Sequence, residues 1–138
     1  MTAAELFAVT DAHFKAEYEG DLDATMATIH PNPHFILHPL GMEINSWDGV
    51  REYYKGLYDA GFHHFDATIL GRWAVDARTV IVETTVRMDV SGEFLGMKID
   101  GTKTIVLPQI DILTIDDGLI SGERVYFDMS TIQKQLSG

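Results

Sequence analysis

Apolar residues recur at helical spacing through the first half of the chain and at alternate positions through the second. On a helical wheel, residues 3–19 gather Leu6, Phe7, Val9, Phe14, Ala16 and Tyr18 into one broad arc, which predicts an amphipathic helix ending at Gly20. Asp21 can cap a second, short helix over 22–29, and Pro31 and Pro33 prevent its continuation. Residues 34–38 read as a short strand. Beyond Pro39-Leu-Gly41, the positions Val50, Tyr53, Tyr54 and Leu57 mark a third helix over 48–60 that stops before Gly61.

The period then changes to two. Residues 65–75, 79–90, 102–115 and 119–127 are β-branched and aromatic runs, separated by the turn signals Asp76-Ala77-Arg78, Ser91-Gly92 and Asp116-Asp117-Gly118. Asp128, followed by Ser130 and Thr131, offers a cap for a C-terminal helix through Leu136. Helices followed by an antiparallel meander predict one α+β domain over 1–138, a curved antiparallel sheet wrapped around three N-terminal helices with a pocket between them.

Composition narrows the function classes. A chain of 138 residues with 46% hydrophobic and 22% charged residues can bury a core and a cavity, and it lacks the bias of a disordered segment. No cysteine is present, so no disulfide, zinc-thiolate site or cysteine nucleophile is available. The net charge of −11 repels phosphate backbones and anionic lipid, which argues against nucleic-acid and membrane partners. Neither a signal-peptide pattern nor a long apolar run occurs, and a cytoplasmic location is expected. His30, His34 and His38 fall at spacing four, but the intervening prolines break the helix that would align them, so no metal site is expected there.

The element order resembles the nuclear-transport-factor-2-like superfamily. It is accompanied by Gly20-Asp-Leu-Asp23, His38-Pro-Leu-Gly41, Val50-Arg-Glu-Tyr-Tyr54, Pro108-Gln-Ile-Asp111 and Glu123-Arg-Val-Tyr-Phe-Asp128. That superfamily contains ketosteroid isomerases, SnoaL-like polyketide cyclases, limonene-epoxide hydrolases, scytalone dehydratases and binding-only members. The resemblance implies a cone-shaped domain around a buried pocket, without a cofactor. Laid on the ketosteroid-isomerase pattern, His38 takes the place of the base, Asp111 that of a protonated oxyanion-hole acid and His13 that of the oxyanion-hole tyrosine. Tyr54 matches a supporting tyrosine. On the epoxide-hydrolase pattern the catalytic positions fall on Thr84, Val86 and Val125, none of which suits that chemistry. Tyr126-Phe-Asp128 and Gln135-Leu136 are shared with SnoaL-like cyclases.

The residues carry their own arguments. His13 lies within the apolar arc and should point inward, as a catalytic group or as a paired core histidine. His38 shares a strand face with His34 and Ile36, and histidine is the side chain that titrates near neutrality unperturbed. Asp111 shares a face with Leu113 and Ile115, and is either an ion-paired carboxylate or a neutral donor. Glu123, Val125 and Phe127 form one face of the last strand, taken as inward, whereas Asp128 is read as a helix cap. His13, His38 and Asp111 are therefore expected to converge on one cavity as catalytic residues, with Tyr54, Glu123, Val125, Phe127 and His34 binding substrate. The expected function is cofactor-independent acid-base catalysis (isomerisation, dehydration or aldol-type cyclisation) on a small, largely apolar molecule bearing a carbonyl or hydroxyl. The alternative is a non-catalytic binder of such molecules. The outward apolar residues Ile110, Ile112 and Tyr126 lead to an expected homodimer.

Overall fold

The computed structural model describes residues 1–60 and 65–137. Helices α1 (Ala3–Glu19) and α2 (Leu22–Ala27) are followed by β1 (Ile29–Leu37), one 3-10 turn (His38–Leu40), β2 (Met42–Ile44) and helix α3 (Trp47–Asp59). Strands β3 (Phe65–Ala74), β4 (Thr79–Phe94), β5 (Met97–Asp116) and β6 (Leu119–Tyr126) come next, and helix α4 (Met129–Leu136) closes the chain. Six strands form one curved, unclosed sheet in the order β2-β1-β6-β5-β4-β3. Helix α1 packs against β3, β4, β5 and β6, and α3 against β1 and α2. The domain is thus the expected α+β cone.

Local chemistry sets the helix ends. The Thr2 hydroxyl accepts from the Glu5 backbone N–H and donates to the Glu5 carboxylate. Gly20 closes α1 in the left-handed region, at φ 63°, where a side chain would be strained. Asp21, Ser46 and Asp128 cap α2, α3 and α4. The Gln135 side chain both accepts from the Val106 N–H and donates to the Val106 carbonyl, which pins α4 to β5.

Several boundaries differ from the sequence pattern. The stop at Gly61 lies outside the described residues. The sheet is mixed rather than wholly antiparallel, because β1 runs parallel to β6. Sequence-adjacent strands joined by tight turns must be antiparallel, but β1 and β6 are joined through α3 and four other strands, which leaves either direction open. β1 begins at Ile29, inside the segment read as helix, and contains Pro31 and Pro33. Its pairing with β6 shifts register between Ile29 and His34, and β2 pairs only with Phe35, Ile36 and Leu37. The prolines therefore sit where ladder bonds are not demanded of them. The β4–β5 hairpin runs past Ser91-Gly92, which is a bulge, and turns at Leu95-Gly96.

The core fills the concave side, with Val80, Val90, Ile105, Leu113, Ile120 and Ile132 wholly buried. Ile110 and Tyr126 are each 40% exposed on the opposite face, as alternation requires. Among the described residues, no helix is long and apolar enough to cross a membrane. Leu113 lies on the core face between Asp111 and Ile115, so Leu113→Ala should cost ~2–5 kcal/mol in a urea titration. A loss under ~1 kcal/mol would mean that this face closes around the gap.

Candidate active site

Between α1, α3 and the concave face lies a cavity of about 60 Å³. One part of its wall is polar: Glu17 from α1, Tyr54 from α3, Gln109 and Asp111 from β5, and Glu123 from β6. The rest is apolar, including Phe35, Leu37, Met88, Phe94, Val125 and Phe127. Tyr53, Leu57 and Leu95 line both this cavity and an open cleft of about 660 Å³ beside it. The inner space alone holds about two waters, at ~30 Å³ per water, so a larger ligand extends into the cleft.

Each polar side chain arrives by a local rule. His13 and Glu17 are one helical turn apart on α1, and Thr10 and Leu6 continue the same buried stripe. Gln109 and Asp111 alternate with the outward Ile110 and Ile112 on β5. Cross-strand register sets Asp111 opposite Val125 and Leu113 opposite Glu123, which makes the two acids diagonal neighbours on one face.

The hydrogen bonds form two groups, one around Glu17 and one around Asp111. The Tyr54 phenol donates to Glu17 Oε1 at 2.8 Å and lies 3.2 Å from His13 Nε2. His13 Nε2 is 2.8 Å from Glu17 Oε1 and 3.8 Å from Glu123 Oε2. On the other side of the ring, Nδ1 is 2.7 Å from the Thr28 hydroxyl, which itself donates to the Thr25 carbonyl. The Thr28 oxygen therefore accepts, and Nδ1 carries the hydrogen. It follows that one proton is held between His13 Nε2 and Glu17, as imidazolium with carboxylate or imidazole with acid. Gln109 donates to both Asp111 oxygens, at 3.0 and 3.2 Å. Glu123 Oε2 is buried with no hydrogen-bond partner among the described residues.

Burial dominates the electrostatics. Asp111 is pushed up to about 7, first by burial and then by the Glu17 charge, against the Gln109 hydrogen bond and the charge on His13. Glu123 rises well above the ordinary carboxylate range through burial and the charges of Asp111 and Glu17, partly offset by Tyr54. Burial, Glu123 and Glu17 likewise keep Tyr54 a phenol. The wall therefore offers an acid that exchanges its proton near neutrality, a second acid whose hold on its proton is raised well above the ordinary, and a phenol hydrogen-bonded to Glu17.

The structure assembles part of the expected constellation. Asp111, Glu123, Val125, Phe127 and Tyr54 line the cavity, and His13 is wholly buried directly behind Glu17, Tyr54 and Glu123. His38 does not converge with them. It is exposed in the 3-10 turn after β1, stacked on Tyr126 with ring centroids 4.3 Å apart. His34 is exposed too and meets Glu43 at 2.6 Å. The reason is strand phase: Phe35 and Leu37 take the buried face of β1, which sends His34, Ile36 and His38 outward. Glu17 and Gln109 were not singled out from the sequence. The signal for Glu17 is its place four residues after an inward histidine; the signal for Gln109 is its place two before an inward aspartate.

His13, Glu17 and Glu123 present ligand atoms within 4.8 Å of one another and are the described residues that could hold a metal ion. Two of these atoms already share a proton across 2.8 Å. His30 faces Asp117, His34 faces Glu43 and His38 stacks on Tyr126, so the three spaced histidines diverge.

The profile of the SnoaL-like domain matches residues 10–123. No curated protein sequence matches the chain. A SnoaL-like polyketide cyclase candidate from Shewanella denitrificans superposes with a TM-score of 0.85 at 16% identity, covering 99% of this chain and 98% of that one. TsrD from Streptomyces laurentii gives 0.78 at 20% identity, covering 99% and 97%. An LEH-like epoxide hydrolase of M. tuberculosis gives 0.76 at 19%, covering 97% and 90%. At these identities the likeness is one of fold.

A carboxyl raised from 3.8 to about 7 leaves the folded protein holding a proton that the unfolded chain has already released. Stability should therefore fall as pH rises through that window, and Glu123 adds to the decline with the same sign. Asp111→Asn removes the Asp111 part, worth a few kcal/mol in order of magnitude. Its thermal midpoint should exceed that of the wild type at pH 8, with the gap closing near pH 4. A lower midpoint for the variant at pH 8 would show that Asp111 is held as a stabilising ion pair instead.

Proposed function

Since the chain belongs to the SnoaL-like domain family, we propose that it is an acid-base enzyme acting without a cofactor on a small, largely apolar carbonyl or hydroxyl compound. The observation that carries this reading is the polar wall on which Asp111, Glu123, Glu17 and Tyr54 meet at one largely apolar cavity, with His13 directly behind it. Asp111, half ionised near neutrality, takes a proton from carbon next to a carbonyl and returns it elsewhere, or delivers it to a departing hydroxyl. The Tyr54 phenol, which donates to Glu17 in the free protein, turns its hydrogen to the substrate oxygen as that oxygen gains charge, and the proton held between His13 and Glu17 stays on Glu17's side to compensate. Isomerisation, dehydration and aldol-type ring closure all reduce to these transfers. His38, stacked outside on Tyr126, takes no part. The exposed Ile110 and Tyr126 on the outer face support a homodimer, whose check is sedimentation at the mass of two chains.

The reaction class can be tested before the substrate is known. A panel of small ketones incubated with the protein in D2O should show deuterium incorporation next to the carbonyl for at least one member, followed by NMR. The rate should climb with pH through about 7, as Asp111 ionises. Asp111→Asn should slow it ~10²–10⁴-fold, Tyr54→Phe ~10²–10³-fold, and His38→Ala less than ~2-fold. Exchange no faster than in buffer across the panel would favour the non-catalytic binder.

A further inference from the structure

The charged residues that line the cavity and the adjoining cleft are all acids: Glu17, Asp111 and Glu123 inside, and Glu52, Asp59 and Glu93 at the mouth. The outer three are exposed, Asp59 pairs with Lys55 at 2.9 Å and Glu52 lies 3.9 Å from Arg51, so the argument rests on the inner three. Against those three buried carboxyls, His13 is, among the described residues, the one group beside them able to carry positive charge. Among the described residues, no arginine or lysine lines either space. Buried carboxyls are ordinarily matched by a cation or neutralised by protonation, and burial raises the proton affinity of both Asp111 and Glu123. One oxygen, Glu123 Oε2, has no hydrogen-bond partner among the described residues, only His13 at 3.8 Å, on a side chain only 7% exposed.

We infer that the ligand of this cavity carries an ammonium group, which sits against Glu123 and Asp111 while an apolar remainder passes between Leu57 and Leu95 into the cleft. This rests on the reading of the cavity as the substrate site, and it names the substrate class. The walls favour an organic cation over a bare metal ion. Phe35, Tyr53, Tyr54, Phe94 and Phe127 supply ring surface to which an alkylammonium is attracted and a hydrated metal ion is not. The space of about 60 Å³ admits a small head group, and the cleft of about 660 Å³ takes the tail. A carboxylate or phosphate at the same place would meet three acids, with only His13, already engaged with Glu17, to offset them among the described residues. The ammonium supplies the missing charge, so binding near neutrality expels a proton from the acid pair into the buffer.

The test is calorimetric titration with matched probes: 2-phenylethylamine, 2-phenylethanol and 3-phenylpropanoate, together with a series of small alkylamines. At least one amine should bind ~10-fold or more tightly than its alcohol counterpart, the equivalent of one charge-assisted hydrogen bond. The carboxylate should show no saturable binding. Titrations in two buffers of different ionisation heat should reveal proton release. Glu123→Gln should cut the preference for amine over alcohol to under ~3-fold, and Asp111→Asn, which removes the other acid, gives the same readout if the first variant misfolds. Equal affinity for amine and alcohol, no saturable amine binding at millimolar concentration, or a thermal midpoint raised by Zn²⁺ or Mn²⁺ but by no amine would overturn the inference. Deuterium exchange on neutral ketones without any amine preference would overturn it and leave the acid-base reading standing. Amine binding with no exchange would do the reverse.

Discussion

The bond from the Tyr54 phenol to Glu17 joins α3 to α1 in the middle of the interior, and the candidate site is arranged around it. Each partner is fixed by something else. Glu17 lies one helical turn from His13, whose other ring nitrogen is tied to Thr28 at the end of α2. Tyr54 packs edge-on against Phe35 of β1 and lies close to Tyr53 and Tyr58. Tyr58 in turn lies 2.6 Å from the Thr25 hydroxyl on α2. Three helices are thereby locked at one depth, and that depth is where the sheet presents Asp111 and Glu123. A buried polar cluster of this kind holds its members tightly, because each unpaired group would carry the full desolvation penalty.

That constraint explains the electrostatics. Burial penalises ionisation, so the carboxyls hold their protons more tightly: Glu123 is raised well above the ordinary carboxylate range and Asp111 is poised near 7. The contrast with the surface is direct: Asp116, exposed and hydrogen-bonded by Arg78 and Ser121, falls to about 2. The same residue type thus serves as a proton carrier on one stretch of β5 and as a simple anion at its end. Environment decides which.

The turn between β4 and β5 adds the boundary of the site. Leu95 and Gly96 both adopt positive φ, 50° and 78°, as a two-residue hairpin turn of matching twist demands. For leucine this conformation is unfavourable by ~1–2 kcal/mol. The strained residue is one of the three side chains shared by cavity and cleft, so the hairpin sets how much of the interior is open.

Much of this was legible in the sequence, because it depends on local periodicity. Alternation along β5 and β6 sends Asp111, Glu123 and Val125 inward and Ile110 and Tyr126 outward, and Asp128 announces itself as a cap three residues before Thr131. Periodicity does not give the phase of a strand, or which of two helix positions matters, when both choices bury something. His38 was misplaced because the phase of β1 is set by Phe35 and Leu37 packing against the helices, a contact with distant segments. Glu17 passed unnoticed because a glutamate near a helix end is ordinarily solvated; only the approach of Tyr54, 37 positions away, makes its burial affordable. The parallel pairing of β1 with β6 belongs to the same class. Each was decided by which surfaces meet across the core, and the chain by itself specifies the surfaces but not their meeting.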